Sequence, residues 1–509
     1  MADRYFVNGG VDNNWGTTGN WSATSGGAGG AGVPTTADNA FFDAISPNCT
    51  INTGATRNCI NLTCTGYTNT LTFNTNLNVT GDVTLGTASM TMTGSSTLAL
   101  APSTNRTYSS GGCVCAVPLS IARSTGATTI TWGSNWTQTG AFTLSGTTVW
   151  TWTGNTVTFK NSVAWNSSQV SGTTTIVFGP DASTSMTVTS TVTPAWSNTI
   201  SINGAGTINL NLSFTKTGTF TYTAGTVTHT GTIIFGAGSS TMNTAGMSFQ
   251  NAENSTLGTS TITLTSDLTL TGNFRYTSSA TSFNPAGRTI FVGGNLTIGV
   301  GSTNLAGISG ASTIVLNGSG TISGTLVNAM TLPLIINTTG TYTFSPGTIL
   351  WLRTLTFTAG TIVSTGNTIS SAGVSTFTIN ATGFSIGTFI TTSNPTFTGT
   401  EGCSFGTYSC TTAGTTHTFQ STDTYIITTA LNLLGTAASN LTFKSGTASS
   451  AAKVTLNYGA SLDVGHVTAT DIDSSGGRTI WNYKGTLTRT TNWQQLPTVP
   501  KTVGQTWVR

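Results

Sequence analysis

Hydroxyl-bearing and apolar side chains alternate along much of this chain. The alternation is clearest in NTLTFNTNLNVTGDVTLG (residues 69–86), GTFTYTAGTVTHTGTIIF (218–235) and TSTITLTSDLTLTGNF (259–274). Because successive side chains of a β-strand point to opposite faces, a period of two over about five to eight residues predicts strands with one buried face. No segment has the periodicity of a helix, so the chain is predicted to be all-β.

Turn residues (Gly, Asn and Ser-Gly) separate these segments about every ten residues, which suits either a β-sandwich or the coils of a β-solenoid. Short internal matches favour the solenoid. TGTFTYT at 217–223 is similar to TGNFRYT at 271–277, and TAGT occurs at both 223–226 and 358–361. The intervals indicate a coil of roughly 20 to 27 residues, within the range of known repeats. We therefore predict an elongated all-β solenoid (a β-helix) with N- and C-terminal capping modules.

The composition supports stacked coils. Charged residues make up 6% of the chain and hydrophobic residues 37%, and there are 62 glycines. In a stack, equivalent side chains form ladders, in which Thr or Asn hydrogen bonds to its neighbours whereas Glu or Lys repels its own kind. Such ladders account for the scarcity of glutamate, which is present only as Glu253 and Glu401.

Charge and hydropathy exclude several classes of function. The net charge of +3 is spread thinly, without the basic stripe that would neutralise phosphates, so nucleic-acid binding is not expected. No apolar run approaches the roughly 18 residues of a membrane span, and MADRYFVNGG lacks the features of a secretion signal. The seven cysteines are irregularly spaced, which favours folding in a reducing cytoplasm. These properties predict a virion protein, assembled in a host cytoplasm and extracellular after lysis.

Four regions are predicted along the chain. Residues 1–45 form an N-terminal cap or attachment module, 46–440 a solenoid shaft, 441–495 the C-terminal solenoid end and cap, and 496–509 an extended tail. The boundary at 440 follows a change in charge, because seven of the sixteen Lys and Arg residues come after it.

Both ends of a β-stack expose unpaired backbone groups and need a cover. Large aromatic rings near each end of the chain fit that purpose. The predicted capping residues are Trp15, Trp21, Phe41 and Phe42 at the N-terminal end, and Trp481 and Trp493 at the C-terminal end.

A resemblance to a known family is carried by five short motifs: RYFV (4–7), NNW (13–15), NW (20–21), VP (33–34) and ADNAFFD (37–43). Together they resemble the N-terminal module of large Thr/Gly-rich β-solenoid structural proteins of tailed bacteriophages, such as tail fibres and tailspikes. More loosely, they resemble the start of bacterial β-helical adhesins. The turn DIDSSGG is similar to the Asp-rich turn that ends the repeats of such phage proteins. The resemblance implies a virion structural or host-contact role and carries no catalytic residues with it.

The acidic residues are the first candidates for catalytic chemistry. A polysaccharide-cutting enzyme needs two carboxylates about 5 to 9.5 Å apart. Between residues 83 and 440 the acids are Asp181, Glu253, Asp267, Glu401 and Asp423. None lies at i,i+2 from another, so we predict that the protein is not an enzyme. Stacking of coils can still bring distant acids together, and depolymerase activity therefore stays an alternative.

Metal and thiol chemistry have weak candidates. The candidate metal ligands are Asp463, His466, Asp471 and Asp473. Because this segment lacks the dense ligand spacing of a dedicated cation site, neither a metal nor a cofactor is predicted, and an Asx-type turn is the alternative. Cys113 and Cys115 are too closely spaced for zinc without a second pair and are predicted to be buried as small hydrophobes. His229 and His417 are isolated and receive no chemical role.

Tryptophans crowd one third of the chain. Trp150 and Trp152 share a strand face, and Trp132 and Trp136 precede them closely. Because sugars stack on exposed aromatic rings, these four residues are candidates for glycan binding. Large rings equally suit a solenoid interior or a subunit interface.

The sequence thus predicts a phage virion structural protein that forms a rigid fibre or spike and mediates attachment to a host surface. Its expected partners are copies of itself in a homotrimer, other virion proteins, and a host cell-surface glycan or protein. Affinity is expected to come from multivalency. The alternatives are a polysaccharide-depolymerising tailspike and a self-assembling extracellular filament or adhesin.

Overall fold

The structure is a computed structural model. It describes residues 1–10, 12–123, 126–254, 261–276, 282–299, 312–325, 330, 332–364 and 366–496. The chain divides into two compact units, Met1–Gln250 and Asn251–Arg509. In the described residues, both units consist of β-strands and turns, and the helical content is a single 3-10 turn at Thr18–Asn20. No described helix has the length and apolar character needed to cross a membrane.

In its described residues, the first unit contains 26 strands. They are β1 (Asp3–Phe6), β2 (Trp21–Ser22), β3 (Asn39–Phe41), β4 (Cys49–Ile51), β5 (Arg57–Cys59), β6 (Leu62–Thr63), β7 (Thr70–Phe73), β8 (Leu77–Val79), β9 (Val83–Thr84), β10 (Thr91–Gly94), β11 (Leu98–Leu100), β12 (Arg106–Ser109), β13 (Val114–Cys115), β14 (Leu119–Ala122), β15 (Thr128–Trp132), β16 (Trp136–Gln138), β17 (Phe142–Gly154), β18 (Val157–Phe159), β19 (Val163–Gly172), β20 (Thr175–Phe178), β21 (Ser185–Thr189), β22 (Ala195–Trp196), β23 (Thr199–Asn211), β24 (Phe214–His229), β25 (Thr232–Asn243) and β26 (Ser248–Phe249).

The second unit continues the numbering over its described residues. Its strands are β27 (Asn251–Asn254), β28 (Thr261–Leu264), β29 (Leu268–Leu270), β30 (Phe274–Tyr276), β31 (Ser282–Asn284), β32 (Thr289–Val292), β33 (Leu296–Ile298), β34 (Thr313–Leu316), β35 (Gly320–Gly324), β36 (Leu334–Phe344), β37 (Ile349–Ser364), β38 (Thr368–Ile379), β39 (Ser385–Thr391), β40 (Pro395–Gly399), β41 (Ser404–Cys410), β42 (Thr416–Phe419), β43 (Thr424–Leu434), β44 (Leu441–Ser445), β45 (Ala452–Leu456), β46 (Ser461–Gly465), β47 (Val467–Thr470), β48 (Ile472–Asp473), β49 (Ile480–Asn482), β50 (Thr486–Thr488) and β51 (Trp493–Gln495).

Successive coils pair in parallel in the first unit. Leu98 pairs with Leu77 on one side and with Leu119 on the other, and Leu119 pairs in turn with Phe142. All four side chains are buried, because strands in the same register direct every second residue to the interior. A hydrogen bond between equivalent positions of neighbouring coils, from Thr97 to Asn76, spans 21 residues. This spacing lies within the predicted coil length.

The second unit repeats the arrangement with an aromatic interior. Phe377, Phe397 and Phe419 stack along the unit, with ring centroids 5.2 Å apart for the first pair and 5.1 Å for the second. The threonine that precedes each phenylalanine belongs to a second ladder on the outer face, in which Thr376 pairs with Thr396 and Thr396 with Thr418. The prediction of an all-β solenoid is therefore confirmed in each unit.

Amide side chains form the ladders expected of a stack. In the second unit, the Asn251 side chain accepts a hydrogen bond from the backbone N–H of Asn273 at 2.8 Å, and the Asn273 side chain accepts one from Asn295 at 2.8 Å. The Asn295 side chain continues the series to Thr321 at 2.7 Å. Each amide thus satisfies a backbone donor of the next coil, which explains why asparagine recurs at the coil corners.

Some charged side chains pair with an opposite charge on the neighbouring coil. In the described residues, the ion pairs are Lys160–Asp181, Arg275–Glu253 and Arg489–Asp471. The partners lie 21, 22 and 18 residues apart, so each pair joins neighbouring coils. A stack therefore accepts a charge where the adjacent coil supplies the opposite one.

The seven cysteines are free and buried. Burial raises the pKa of the Cys113 thiol to about 11, and it raises the pKa of the Cys115 thiol further. Thiols in this state are protonated at neutral pH and pack as small apolar groups, as predicted for these two residues.

Candidate functional site

The four candidate glycan-binding tryptophans lie inside the first unit. Trp132 ends β15, Trp136 begins β16, and Trp150 and Trp152 are on β17, all with at most 1% of their surface exposed. The Trp132 ring contacts those of Trp136 and Trp152, with centroids 5.4 and 5.3 Å apart. No face of these rings is open to a sugar, so the prediction of a glycan-binding patch at these four residues is wrong. The alternating pattern directs the rings into the interior, where Trp165 extends the aromatic column beside Trp152.

The four candidate metal ligands are not gathered around a common point. Asp471 is buried, and its carboxylate accepts two hydrogen bonds from Arg489, at 2.5 and 2.7 Å. Asp473 accepts a hydrogen bond at 2.9 Å from the backbone N–H of Ser475, which forms an Asx turn. His466 packs against Tyr483. Across the described ranges, no group of three or more His, Cys, Asp or Glu side chains is placed to hold a metal ion.

Three of the four N-terminal capping candidates form one aromatic cluster. Trp15 and Trp21 meet edge to face at 4.7 Å, and both pack against Phe42 at 5.8 Å. Phe41 points the other way and stacks on Tyr5 at 4.8 Å. Two backbone hydrogen bonds attach this segment to β4, from Trp15 N–H to Thr50 at 2.7 Å and from Thr50 N–H to Asn13 at 2.8 Å. The role of these residues as a cap stays a prediction.

The two C-terminal candidates differ in burial. Trp493 is 5% exposed, donates a hydrogen bond to the Ser474 hydroxyl at 2.9 Å, and contacts the Phe443 ring at 5.9 Å. Trp481 is 37% exposed. Residues 497–509, which include nearly all of the predicted tail, lie outside the described residues. The C-terminal cap and the boundaries at 45, 440 and 495 also stay predictions.

One pair of acids is brought together that the spacing along the chain did not reveal. Ser404 pairs with Ile426, and the same offset places Glu401 beside Asp423 in the next coil. Burial raises the pKa of the Asp423 carboxyl, and the nearby Glu401 charge raises it further. One Asp423 oxygen is buried without a hydrogen-bond partner. In the sequence, the only indication of this pair is that its spacing equals the offset between the two coils. That offset can be recognised only when the strand register is known.

The remaining acids of the central region are engaged elsewhere. Asp181 and Glu253 form ion pairs, and Asp267 accepts a hydrogen bond from the backbone N–H of Thr289 at 2.8 Å. Electrostatic interaction couples the Glu401 and Asp423 carboxylates to each other.

Both central histidines are core residues. His417 is buried, its Nδ1 lies 2.9 Å from the Tyr408 hydroxyl, and burial lowers its pKa to about 3. His229 accepts a hydrogen bond from the backbone N–H of Gln250 at 3.1 Å, and burial lowers its pKa to about 4. Neutral, buried imidazoles of this kind fill the interior and satisfy polar neighbours.

Comparison of the chain with protein-family models, with curated proteins and with solved structures gave no match. The functional conclusions therefore depend on the fold and on the residues described above.

Proposed function

We propose that the protein is a structural component of a tailed-phage virion, where it forms a rigid fibre or spike that attaches to a host surface. The observation that carries the proposal is the pairing of successive parallel coils, with an apolar interior and hydroxyl or amide ladders outside. A β-solenoid of this kind is compatible with fibre, spike and adhesin roles. The motifs between residues 4 and 43 favour the phage context among these.

The proposed mechanism is passive. Each coil is bonded to its neighbours along several strands, which makes a solenoid stiff and suited to hold a contact surface away from a particle. Few charges are present to drive tight binding at a single point, so attachment relies on several weak contacts made at once. A homotrimer would supply this multivalency, and would cover exposed apolar side chains such as Val374 and Tyr458.

The proposal is tested with the purified full-length chain. Sedimentation is expected to show a trimer, and fluorescently labelled protein is expected to bind cells of a susceptible host and to reduce phage adsorption to them. Antibodies against the chain should decorate intact virions in electron micrographs. Sedimentation as a monomer would remove the trimer. Absence of the chain from virions together with failure to bind cells would refute the function.

The Glu401–Asp423 pair supports a second candidate function, a polysaccharide depolymerase. Glycoside hydrolysis uses two carboxyl groups, one of which is kept protonated by a raised pKa. Burial and the neighbouring Glu401 charge both raise the pKa of the Asp423 carboxyl. In this scheme Asp423 would donate a proton to the leaving oxygen, and Glu401 would act as the base or nucleophile.

Incubation with host-surface polysaccharide separates the two candidates. A depolymerase would release oligosaccharides, and the Asp423→Asn and Glu401→Gln variants would each lose that release. Asp267→Asn is a matched control, because it neutralises a carboxylate of the same central region that accepts a hydrogen bond from the backbone N–H of Thr289. If the wild-type chain releases nothing, the enzymatic alternative falls and the passive role is unaffected.

A further inference from the structure

An ion pair on the first unit separates two surface depressions. Lys160 Nζ lies 2.7 Å from Asp181 Oδ1, and the two side chains are 33% and 63% exposed. Both residues line each depression, one of about 520 Å³ and the other of about 390 Å³. The larger volume lies in the range of small-ligand sites. The Lys160–Asp181 ion pair therefore lies beside a concave surface.

The larger depression exists because small residues recur at one corner of three successive coils. These are Gly179, Gly204 and Ala224. A Cβ on Gly204 would lie 2.6 Å from the backbone of Pro180, and one on Gly225 would lie 2.5 Å from the carbonyl oxygen of Gly204. The close approach of the coils leaves no room for a side chain at Gly204 or Gly225, so small residues wall the depression. The pairing of β23 with β24 also shifts register at Asn203, which lines the hollow.

The walls of the two depressions differ in chemistry. The larger one has an aliphatic surface from Val177, Pro180 and Ala205, with the Asn203 amide among them. The smaller one offers mainly hydroxyl and amide groups, including Thr139 and Asn161. The ion pair supplies N–H donors and carboxylate acceptors at the boundary between them.

We propose that this pair of depressions, the Lys160–Asp181 groove, binds a neutral oligosaccharide of the host surface. The inference rests on the proposed attachment function and names the site and the ligand class for it. A sugar hydroxyl both donates and accepts hydrogen bonds, so it can bridge the ammonium group of Lys160 and the free oxygen of Asp181. The aliphatic wall then packs against the C–H face of the ring.

The groove offers charged ligands no net electrostatic attraction. Lys160 and Asp181 neutralise each other, so neither an anionic nor a cationic polymer gains a net attraction. Because the tryptophans of this unit are buried, aromatic stacking does not contribute, and the affinity of one groove should be low. Several copies presented on one particle would then provide useful avidity.

The test uses the full chain and a panel of immobilised oligosaccharides: hexamers of glucose, mannose, galactose and N-acetylglucosamine, with polysialic acid and polygalacturonate as acidic members. The variants Lys160→Ala and Asp181→Ala remove the polar groups. Ala182→Trp fills the larger depression without changing either charge. Glu253→Ala is the matched control, because it breaks an ion pair between neighbouring coils of the second unit.

We expect the wild type to bind at least one neutral hexamer, the three groove variants to weaken that binding tenfold or more, and Glu253→Ala to leave it unchanged. Circular dichroism verifies that each variant is folded. Binding that survives all three substitutions, or a preference for the acidic polymers, would overturn the groove as the site. Labelled wild-type chain that binds host cells but no neutral hexamer would overturn the groove and leave the attachment function standing. If the chain binds neither, both are refuted.

Discussion

The Lys216 ammonium group lies 2.9 Å from the backbone oxygen of Asn198, in the interior of the first unit. A second carbonyl, that of Trp196, is 3.3 Å away, and the carbonyl of Thr217 is also in contact. The side chain is fully buried, and burial lowers its pKa to about 7. A solenoid interior can therefore hold an amine where backbone carbonyls accept its hydrogen bonds.

This burial predicts that stability depends on pH. An unfolded lysine has a pKa of about 10.4, so between pH 7 and 10 residue 216 binds more protons in the unfolded state than in the folded one. The contribution of Lys216 to the free energy of unfolding should rise with pH across this window, by at most about 1.4 kcal/mol per unit. Below pH 7 both states are protonated, and the cost of the buried charge is present in full.

Denaturant unfolding of the wild type and of Lys216→Met at several pH values measures the effect. The variant, which keeps the volume and loses the amine, should lack the rise, so the wild-type free energy of unfolding minus that of the variant should increase from pH 7 to 10. Equal profiles for both proteins would mean that Lys216 does not titrate in the folded state.

Trp152 and Trp481 should differ in their contribution to stability. Trp152 is fully buried against Trp132, Phe142 and Trp165, so Trp152→Ala should lower the free energy of unfolding by about 3–5 kcal/mol. Trp481→Ala, at a side chain that is 37% exposed, should cost less than about 1 kcal/mol. Thermal unfolding of the two variants tests the comparison. A larger loss for Trp481 would indicate that it contributes to a C-terminal cap.

Two glycines on the coils should also differ in how much their substitution by alanine destabilises the protein. Gly399 has φ of 123°, and a Cβ there would lie 2.0 Å from the carbonyl oxygen of Ile379, so Gly399→Ala should destabilise by more than about 2 kcal/mol. At Gly459, a Cβ would meet no atom within 4 Å, and Gly459→Ala should be neutral. Denaturation midpoints measure both. Similar values for the two variants would contradict the close coil contact at Gly399.

The Asp471–Arg489 pair should hold a turn in the preceding coil. Asp471 Oδ2 accepts the backbone N–H of Ser449 at 3.1 Å, and the hydrogen bonds from Arg489 lower the pKa of this carboxyl. Because that pKa is lowered in the folded state, the stabilisation is present above the unfolded value and is lost as the pH falls through the folded one.

Hydrogen exchange measures this contact at the Ser449 amide. Asp471→Ala should speed exchange there, whereas Asp473→Ala, which removes only the bond to Ser475, should not. Unchanged protection of Ser449 in the Asp471 variant would show that the turn is held by other contacts.

The strand pattern was readable from local order. Thr-Leu-Thr-Phe at residues 70–73 forms β7 with its apolar residues buried, and the same alternation recurs in most described strands. The candidate sites were less predictable. Trp150 and Trp152 were correctly placed on one face, but the pattern could not say which face is inside. Glu401 and Asp423 are far apart along the chain and adjacent across coils.

Amino-acid order alone therefore determined that the chain forms short pleated strands with one apolar face, and that its stacked coils contain few charged residues. Side-chain periodicity and like-charge repulsion are local properties, so they can be seen in the chain itself. The coil register decided which residues meet: Lys160 with Asp181, Glu401 with Asp423, and Lys216 with the Asn198 carbonyl. Those contacts depend on coil lengths that vary from turn to turn, because an extra residue in one coil shifts by one position the partners of the residues whose pairing spans it.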